Sequence, residues 1–420
     1  MPKQRWTVIG FGGYALDHLK AVDWLDGQNL AELTGVIALP QDQRQNPALV
    51  AKLTSRDIPL YPSIQAFFDQ GCPNTDVLTV PIGIHQHRPV TCQALERGLH
   101  VYCEKPAAGT VQEVDAMLES EKRSGKKLAI GFQFLYSHAI EQIKDRLSHG
   151  RLGNVRSISL SCNWPRSERY YTRNAWAGKL RQDDDWILDT PANNATSHFL
   201  MNLLYLASAE PGHAATPSNM TAELYRANQI ESADLTQMRF ETDTKTRCFV
   251  TFAHCSDHRT GPFLHLEAEK GRVKWEGDAG QTMIEYDSGA QESFNSMTHD
   301  FWRYDIFLDF AQAIAQDGTP LCTAKVARAQ TLCINAMHES CPQIHTVPEE
   351  FVHYVTDIED YPPRGEERFR RIVGLDSLLL KCFETRSFLS ELQVPWGKAA
   401  RNPKFSLQNY TSFPVSAPIE

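Results

Sequence analysis

Four short stretches of the chain hold side chains whose types and spacing can do chemistry. The first is Gly10-Phe11-Gly12-Gly13-Tyr14-Ala15, directly after an apolar run and directly before a helical pattern. Gly10 permits a tight turn, Gly12 lets backbone approach a pyrophosphate, and Ala15 keeps the following helix close to its strand. The helix N-terminus then favours the negative phosphates of a dinucleotide. The second is His100-Val101-Tyr102-Cys103-Glu104-Lys105-Pro106, an apolar strand ending where open α/β sheets place their ligand crevice. The third runs from Asp189 through Asn194 to His198 and on into Phe199-Leu200-Met201. Histidine is the side chain best poised to take a hydroxyl proton near neutral pH; the alternative is a helix N-cap of Asn or Thr with a buried histidine behind it. The fourth, Trp164 to Lys179, interleaves Arg166, Arg173 and Lys179 with Tyr170 and Trp176. Aromatic faces pack on the CH faces of a sugar ring, and the cations bond its hydroxyls or a carboxylate. The same residue types also suit a contact between subunits.

Positioning these groups takes two kinds of framework. From residue 5 to about 135, apolar runs alternate with amphipathic stretches, which predicts β-α units and a doubly wound parallel sheet. Strands are expected at Trp6–Ile9, Leu33–Leu39, Ile58–Tyr61, Asp76–Val80, Val101–Cys103 and Lys127–Phe132, and helices at Ala15–Leu25, Pro47–Leu53, Ile64–Phe68, His87–Arg97 and Val111–Ser124. Beyond Phe134, a helix at Ser137–His149 precedes longer strand-like runs such as Val155–Cys162, Gln237–Thr242, Arg247–His254, Phe263–Ala268 and Val273–Trp275. These predict a large, mostly antiparallel open sheet, with helices over Ala195–Ala207 and Ala324–Glu339 lying against it. The division expected is a Rossmann domain over 1–134, an α+β domain over 135–345 for substrate binding and oligomerisation, and an extension over 346–420 packed on the second domain. That extension carries Tyr361-Pro362-Pro363 and a helical pattern over Glu366–Thr385.

Composition narrows the function. Hydrophobic residues make up 42% of the 420 and charged ones 22%, the balance of an ordinary folded protein. Lys and Arg number 42 against 51 Asp and Glu, a net charge of -9, with no basic run to track a phosphate backbone, so a nucleic-acid partner is disfavoured. Ten cysteines lie scattered without C-x-x-C pairs or zinc-ligand spacing, as in thiols kept reduced in the cytoplasm. No signal-peptide core and no span of ~20 apolar residues appears, so neither export nor a membrane partner is expected.

The motifs together resemble the Gfo/Idh/MocA oxidoreductases, the family of glucose-fructose oxidoreductase and inositol dehydrogenase, in which Glu-Lys-Pro follows the fifth strand. The likeness spans about residues 5 to 340 and is denser in the first domain. Ala94–His100 matches the family's approach to Glu-Lys-Pro, and Val80-Pro81 leads into a helix whose His87, counted back from Glu104, matches a family histidine; counted from Pro81, His85 fits instead. The resemblance implies a soluble enzyme, NAD or NADP as cofactor, and hydride exchange between the nicotinamide and a secondary alcohol of a sugar, cyclitol or sugar acid. It places Gly10, Phe11, Gly12, Gly13, Tyr14, Ala15, Pro81, His87, Glu104 and Lys105 at the cofactor. It makes Lys105, often before a cis proline, the hydrogen-bond partner of the reacting hydroxyl, and His198 the proton acceptor, one helical turn after an aspartate.

Three departures stand out. Asn194 occupies the aspartate position, so an orienting amide replaces a charge, with Asp189 available from the preceding loop. Leu39-Pro40-Gln41 stands where an acid would bind the ribose of NAD, and Arg44 nearby suits the extra phosphate of NADP. Leu135 replaces an arginine common in the family's pocket, to which Gln133 and Tyr136 also belong. Together with Arg166, Tyr170, Arg173, Trp176 and Lys179 these make up the expected substrate site. No metal is called for, because lysine and histidine can handle the alkoxide charge. A homodimer or homotetramer is expected from an exposed sheet face. Two other functions fit the pattern: a glycoside hydrolase that retains NAD and oxidises transiently, and a non-catalytic sensor of cofactor or metabolite.

Overall fold

A computed structural model describes residues 2–277, 280–296, 302–356 and 367–415. The chain forms two compact units. The first takes the chain up to Ala108, Gln112–Gln133 and Arg303–Arg328; the second takes Gly109–Val111, Phe134–Trp302 and the chain from Ala329 onward.

The first unit alternates β1 (Gln4–Ile9), α1 (Ala15–Gly27), β2 (Ala31–Ile37), α2 (Pro40–Gln45), α3 (Pro47–Thr54), β3 (Leu60–Tyr61), α4 (Ile64–Asp69), β4 (Val77–Val80), α5 (Ile84–Glu96), β5 (His100–Cys103), α6 (Val111–Ser124) and β6 (Leu128–Ile130). All pairings are parallel, in the order β3-β2-β1-β4-β5-β6. The order reverses between β1 and β4, where doubly wound sheets open a crevice at their carboxyl ends. Val8, Val36, Val77, Leu78 and Val101 are fully buried, because helices cover both faces and continuous apolar runs are what such strands require.

The second unit contains α7 (His138–Ser148), β7 (Val155–Asn163), α8 (Glu168–Thr172), β8 (Arg181–Gln182), β9 (Asp185–Trp186), α9 (Ser197–Leu206), β10 (Pro217–Arg226), β11 (Leu235–Thr242), β12 (Arg247–Ala253), β13 (Thr260–Ala268), β14 (Gly271–Glu276), β15 (Gln281–Tyr286) and β16 (Gln291–Asn295). The chain then returns to the first unit with α10 (Asp305–Ala315), a segment that the expected division leaves with the second domain. Phe307 stacks on Tyr102 at 4.2 Å, and Phe310 meets the edge of Trp6 at 6.1 Å. These rings close the apolar back of the first sheet.

After α10 come α11 (Ala324–Ser340), β17 (His345–Thr346), β18 (Val352–Val355), β19 (Phe369–Ile372), α12 (Leu375–Thr385) and β20 (Phe405–Ser406). The second sheet runs β16-β15-β14-β13-β7-β12-β11-β10-β17, with β20 also on β10. It is mostly antiparallel, as expected, with parallel pairs at β7–β12 and β10–β17. Leu375, Leu379, Phe388 and Trp396 share a core with Tyr225, Leu235 and Phe249. The helix predicted over Glu366–Thr385 is shorter than expected: Phe369–Ile372 pairs with β18 instead. Tyr361-Pro362-Pro363 and Glu366 lie outside the described residues.

Candidate active site

In the first unit, the turn from β1 to α1 is built for close approach. Gly10 has φ +107°, and a Cβ there would lie 2.9 Å from that of Ala15, so only glycine lets helix and strand pack this tightly. Its amide donates to the Ile37 carbonyl at 2.7 Å, tying the turn to β2. No heavy atom lies within 4 Å of where a Gly12 Cβ would stand. No side chain caps the start of α1; the amides of Ala15, Leu16 and Asp17 donate to the Gly12, Gly13 and Tyr14 carbonyls at 3.2, 3.4 and 3.0 Å, and the positive end of the helix favours an anion beside the glycine turn. These features fit a pyrophosphate. The Phe11 side chain belongs to the core, 1% exposed, so only its backbone faces a ligand. At the end of β2, Gln43 Nε2 donates to the Ala38 carbonyl at 2.8 Å, and Arg44 is exposed in the last turn of α2.

The strand end after β5 is tied to that turn by side chains. Glu104 is buried; its Oε1 lies 3.1 Å from His18 Nε2, and its Oε2 accepts from the Lys105 amide at 3.2 Å. A Cβ at Gly131 would lie 2.5 Å from Oε1, so a side chain there would expel the carboxylate. His18, fully buried, presents edges to Tyr14, Tyr102 and Phe307 at 5.6, 5.3 and 5.1 Å. The Tyr14 hydroxyl accepts from Gln133 Nε2 at 2.9 Å. A line of contacts therefore runs Gln133, Tyr14, His18, Glu104 and the Lys105 backbone, and the Lys105–Pro106 bond is cis.

His18 is the residue that sequence reasoning missed. Its signal was its place four residues after Tyr14, on the same helical face. His87, expected at the cofactor, directs Nδ1 to the Pro106 carbonyl at 2.8 Å and Nε2 to that of Ile82 at 3.1 Å. Burial pushes its pKa below the ordinary value, and a neutral ring donates to one of the two oxygens. Its geometry is that of a clamp on the turns after β4 and β5. Pro81 is half-buried beside it, and His85 is half-buried on the first turn of α5.

In the second unit, His198 stands in the first turn of α9, 6% exposed, its ring 4.6 Å from that of Phe134. Asn194 is not on that helix, contrary to the expected shared face: α9 begins at Ser197, and Asn194, at φ −124° and ψ −91°, ends a 3-10 turn over Pro191–Asn193. Pro191 and the Thr190 hydroxyl, which accepts from the Asn193 amide at 3.2 Å, set up that separate turn. Asn194 Nδ2 donates to Asp189 Oδ1 at 2.7 Å, and the Gly178 amide to Oδ2 at 2.6 Å. Asp189 thereby anchors the amide.

Of the expected substrate residues in this unit, the structure brings four together. Arg173 lies 3.6 Å over Tyr170 and 5.3 Å over Trp176, and Arg166 lies 5.0 Å over Tyr170. Lys179 instead lines a cavity of about 520 Å³ with Glu168, Tyr171 and Glu231. Gln133 belongs to the first unit and bonds Tyr14, while Tyr136 is buried in the second. Among the described residues, no group of three or more His, Cys, Asp or Glu side chains is placed to hold a metal ion, and no helix is long and apolar enough to cross a membrane.

The sheet order, the glycine turn at its switch point and the Glu-Lys-Pro strand end define a dinucleotide-binding Rossmann domain, followed by an open, mostly antiparallel sheet. Residues 4–132 match the model of the Gfo/Idh/MocA oxidoreductases, described as an oxidoreductase family with an NAD-binding Rossmann fold. By this domain the chain is similar to that family. It is 39% identical over 89 residues to 1-carboxy-3-chloro-3,4-dihydroxycyclohexa-1,5-diene dehydrogenase of Comamonas testosteroni, covering 21% of this chain and 22% of the relative. It is 25% identical over 232 residues to inositol 2-dehydrogenase of Pseudomonas fluorescens, covering 53% and 65%. Neither match reaches two thirds of the relative's length. In fold, the chain is similar to the WlbA dehydrogenase of Bordetella pertussis, solved with NADH and UDP-GlcNAcA: TM-score 0.65 at 18% identity, over 80% of this chain and 97% of that one.

Proposed function

We propose that the protein is an NAD-dependent dehydrogenase acting on a secondary alcohol of a sugar, cyclitol or sugar acid. The observation that carries this reading is the line of contacts from Tyr14 through the buried His18 to the buried Glu104, which ties the glycine turn to the strand end bearing Lys105. The backbone of Gly10–Ala15 and the start of α1 hold the dinucleotide, which when bound supplies the hydride-accepting nicotinamide. Lys105 hydrogen-bonds the reacting hydroxyl and stabilises its developing negative charge. His198 takes the proton, and Asn194, anchored by Asp189, orients the substrate without adding charge. The dehydrogenase names of the relatives support this chemistry. Hydrolysis with retained NAD and non-catalytic sensing draw no support from those names.

The test is direct. Mass spectrometry identifies any nicotinamide nucleotide that co-purifies, and hexoses, aminosugars, uronates and cyclitols are then screened with NAD⁺ and NADP⁺ for absorbance of the reduced ring. Reduction lost in Lys105→Ala is the expected result; a protein that binds neither nucleotide sinks the reading. We also place the enzyme in the cytoplasm as a dimer or tetramer. Its ten free cysteines fit a reducing compartment, and light scattering reads the subunit count.

A further inference from the structure

The loop after α8 and the turn between β10 and β11 meet at the cavity of about 520 Å³ that Lys179 lines with Glu168, Tyr171, Asn228, Ile230 and Glu231. Its size is that of a small-molecule pocket. Its two walls are braced against each other. The Gly178 carbonyl accepts from the Glu231 and Ser232 amides at 3.1 and 3.0 Å, and the Leu180 amide donates to Glu231 Oε2 at 3.3 Å. Arg226 Nη1 donates to the Ile230 and Glu231 carbonyls at 3.3 and 2.8 Å. Gly178 has φ +70°, and a Cβ there would lie 2.8 Å from Ile230 Cγ2 and 3.0 Å from Tyr171 Cδ1. Only glycine lets Ile230 and the Tyr171 ring come this close to the loop.

Two polar side chains at this cavity are held but not satisfied. Asn228 is 4% exposed, and its backbone amide and Nδ2 donate to Asp234 Oδ2 at 2.8 and 2.7 Å. The Ala227 amide donates to the other oxygen of that carboxylate at 2.9 Å. A carboxylate accepts, so Asp234 fixes which branch of the Asn228 amide faces it and leaves Oδ1 on the other branch. Among the described residues, neither Asn228 Oδ1 nor the Tyr171 hydroxyl has a hydrogen-bond partner. Burial first, and then the charge of Asp234, push that hydroxyl well above its ordinary pKa, so it stays a donor. Buried polar groups without partners are costly and rare; an acceptor and a donor of this kind at one cavity mark a place for a ligand that supplies both.

The rest of the lining points to the class of ligand. An anion would meet Glu168 and Glu231, and a cation would meet Lys179. A hydroxyl both gives and takes a hydrogen bond, and the CH face of a ring packs on apolar and aromatic surface such as Ile230 and Tyr171. We propose that this cavity binds a neutral, hydroxyl-rich ring, a sugar or cyclitol residue, in addition to the ring that Asn194 and His198 would hold. The proposal goes beyond the dehydrogenase reading and does not depend on it.

The full chain, without added nucleotide, is titrated in a calorimeter with methyl β-D-glucopyranoside, D-glucuronate and D-glucosamine, which share a ring and differ in charge. The neutral glucoside is expected to bind about threefold or more tightly than either charged sugar. Tyr171→Phe is expected to weaken the glucoside by about three- to tenfold, with an unchanged melting temperature. Glu231→Gln, at an exposed position that keeps an acceptor for the Leu180 amide, weakens it by about threefold. His198→Ala leaves this binding as in the unaltered chain. No binding of the glucoside, or tighter binding of either charged sugar, would overturn the proposal. So would a Tyr171→Phe variant that melts lower yet binds the glucoside equally well, or a loss that follows His198→Ala instead. Any of these leaves Lys105-dependent reduction of NAD⁺ to stand or fall by its own assay.

Discussion

The two domains hold their candidate chemistry in different ways. In the first, the groups stand at the ends of adjacent parallel strands: the glycine turn after β1, Pro81 after β4 and Lys105 after β5. Sheet order alone brings them to one edge, and side chains such as His18 and His87 only secure them. In the second, Arg166, Tyr170, Arg173, His254 and Arg259 come from the short helix α8 and from loops spread over about a hundred residues, and stacking between side chains is what unites them. Backbone-placed chemistry leaves a compact motif in the sequence, whereas side-chain-placed chemistry leaves only a composition.

The contrast is easiest to break at Lys105. Lys105→Ala is expected to lower kcat by roughly 10²- to 10⁴-fold, the scale of a lost proton-handling group, with an unchanged melting temperature. Stopped-flow or steady-state reduction of NAD⁺ reads it, and a drop of less than about threefold would show that the strand end is not where chemistry occurs. Next in size is Gly10→Ala, which combines a φ of +107° with a 2.9 Å approach to Ala15. It should cost about 1–3 kcal/mol of stability and weaken dinucleotide binding in a fluorescence titration. An equal affinity with an intact fold would mean that the turn is ordinary.

The second domain offers a smaller and opposite test. Asn194→Asp, which restores the residue common in the family, sets a second carboxylate 2.7 Å from Asp189 Oδ1. Two such charges cannot both ionise cheaply, so the folded pair holds a proton that the unfolded chain releases. Stability of this variant should therefore fall as pH rises above the ordinary carboxylate range, by about 1–3 kcal/mol at pH 7, and recover near pH 5. Thermal melts at the two pH values check it; a variant as stable as wild type at pH 7 would refute the Asp189 anchor.

The smallest effect is one the domains share. Burial lowers His100 in the first domain to about 4 and His338 in the second to about 3. Between pH 6.5 and those values the unfolded chain binds protons that the folded one refuses, so stability drops as pH falls through that window. His338→Leu should flatten the slope of melting temperature against pH below 6.5, and an unchanged slope would assign the acid sensitivity elsewhere.

Much of the first domain was legible because a parallel strand buried on both faces must be continuously apolar, and because Gly10 and Glu104-Lys105-Pro106 sit at fixed offsets from such strands. His18 escaped notice because its one mark in the sequence is its place four residues after Tyr14, and the carboxylate that gives it a role, Glu104, lies 86 positions away. In the second domain the composition of Trp164–Lys179 pointed to binding, but Arg259 and His254 could not be added without knowing that β7 lies between β12 and β13. The start of α9 was misplaced because Pro191 and Thr190 build their own turn before it.

The return of the chain to the first domain through Arg303–Arg328 has a consequence for how the protein is made. The rings of Phe307 and Phe310 that back Trp6, His18 and Tyr102 are translated long after the strands they cover, so during synthesis the nucleotide-binding half waits with a bare apolar side. A fragment cut after the sixth strand would inherit that bareness permanently. Attempts to express the cofactor half alone should yield insoluble material unless residues 303–328 are grafted back.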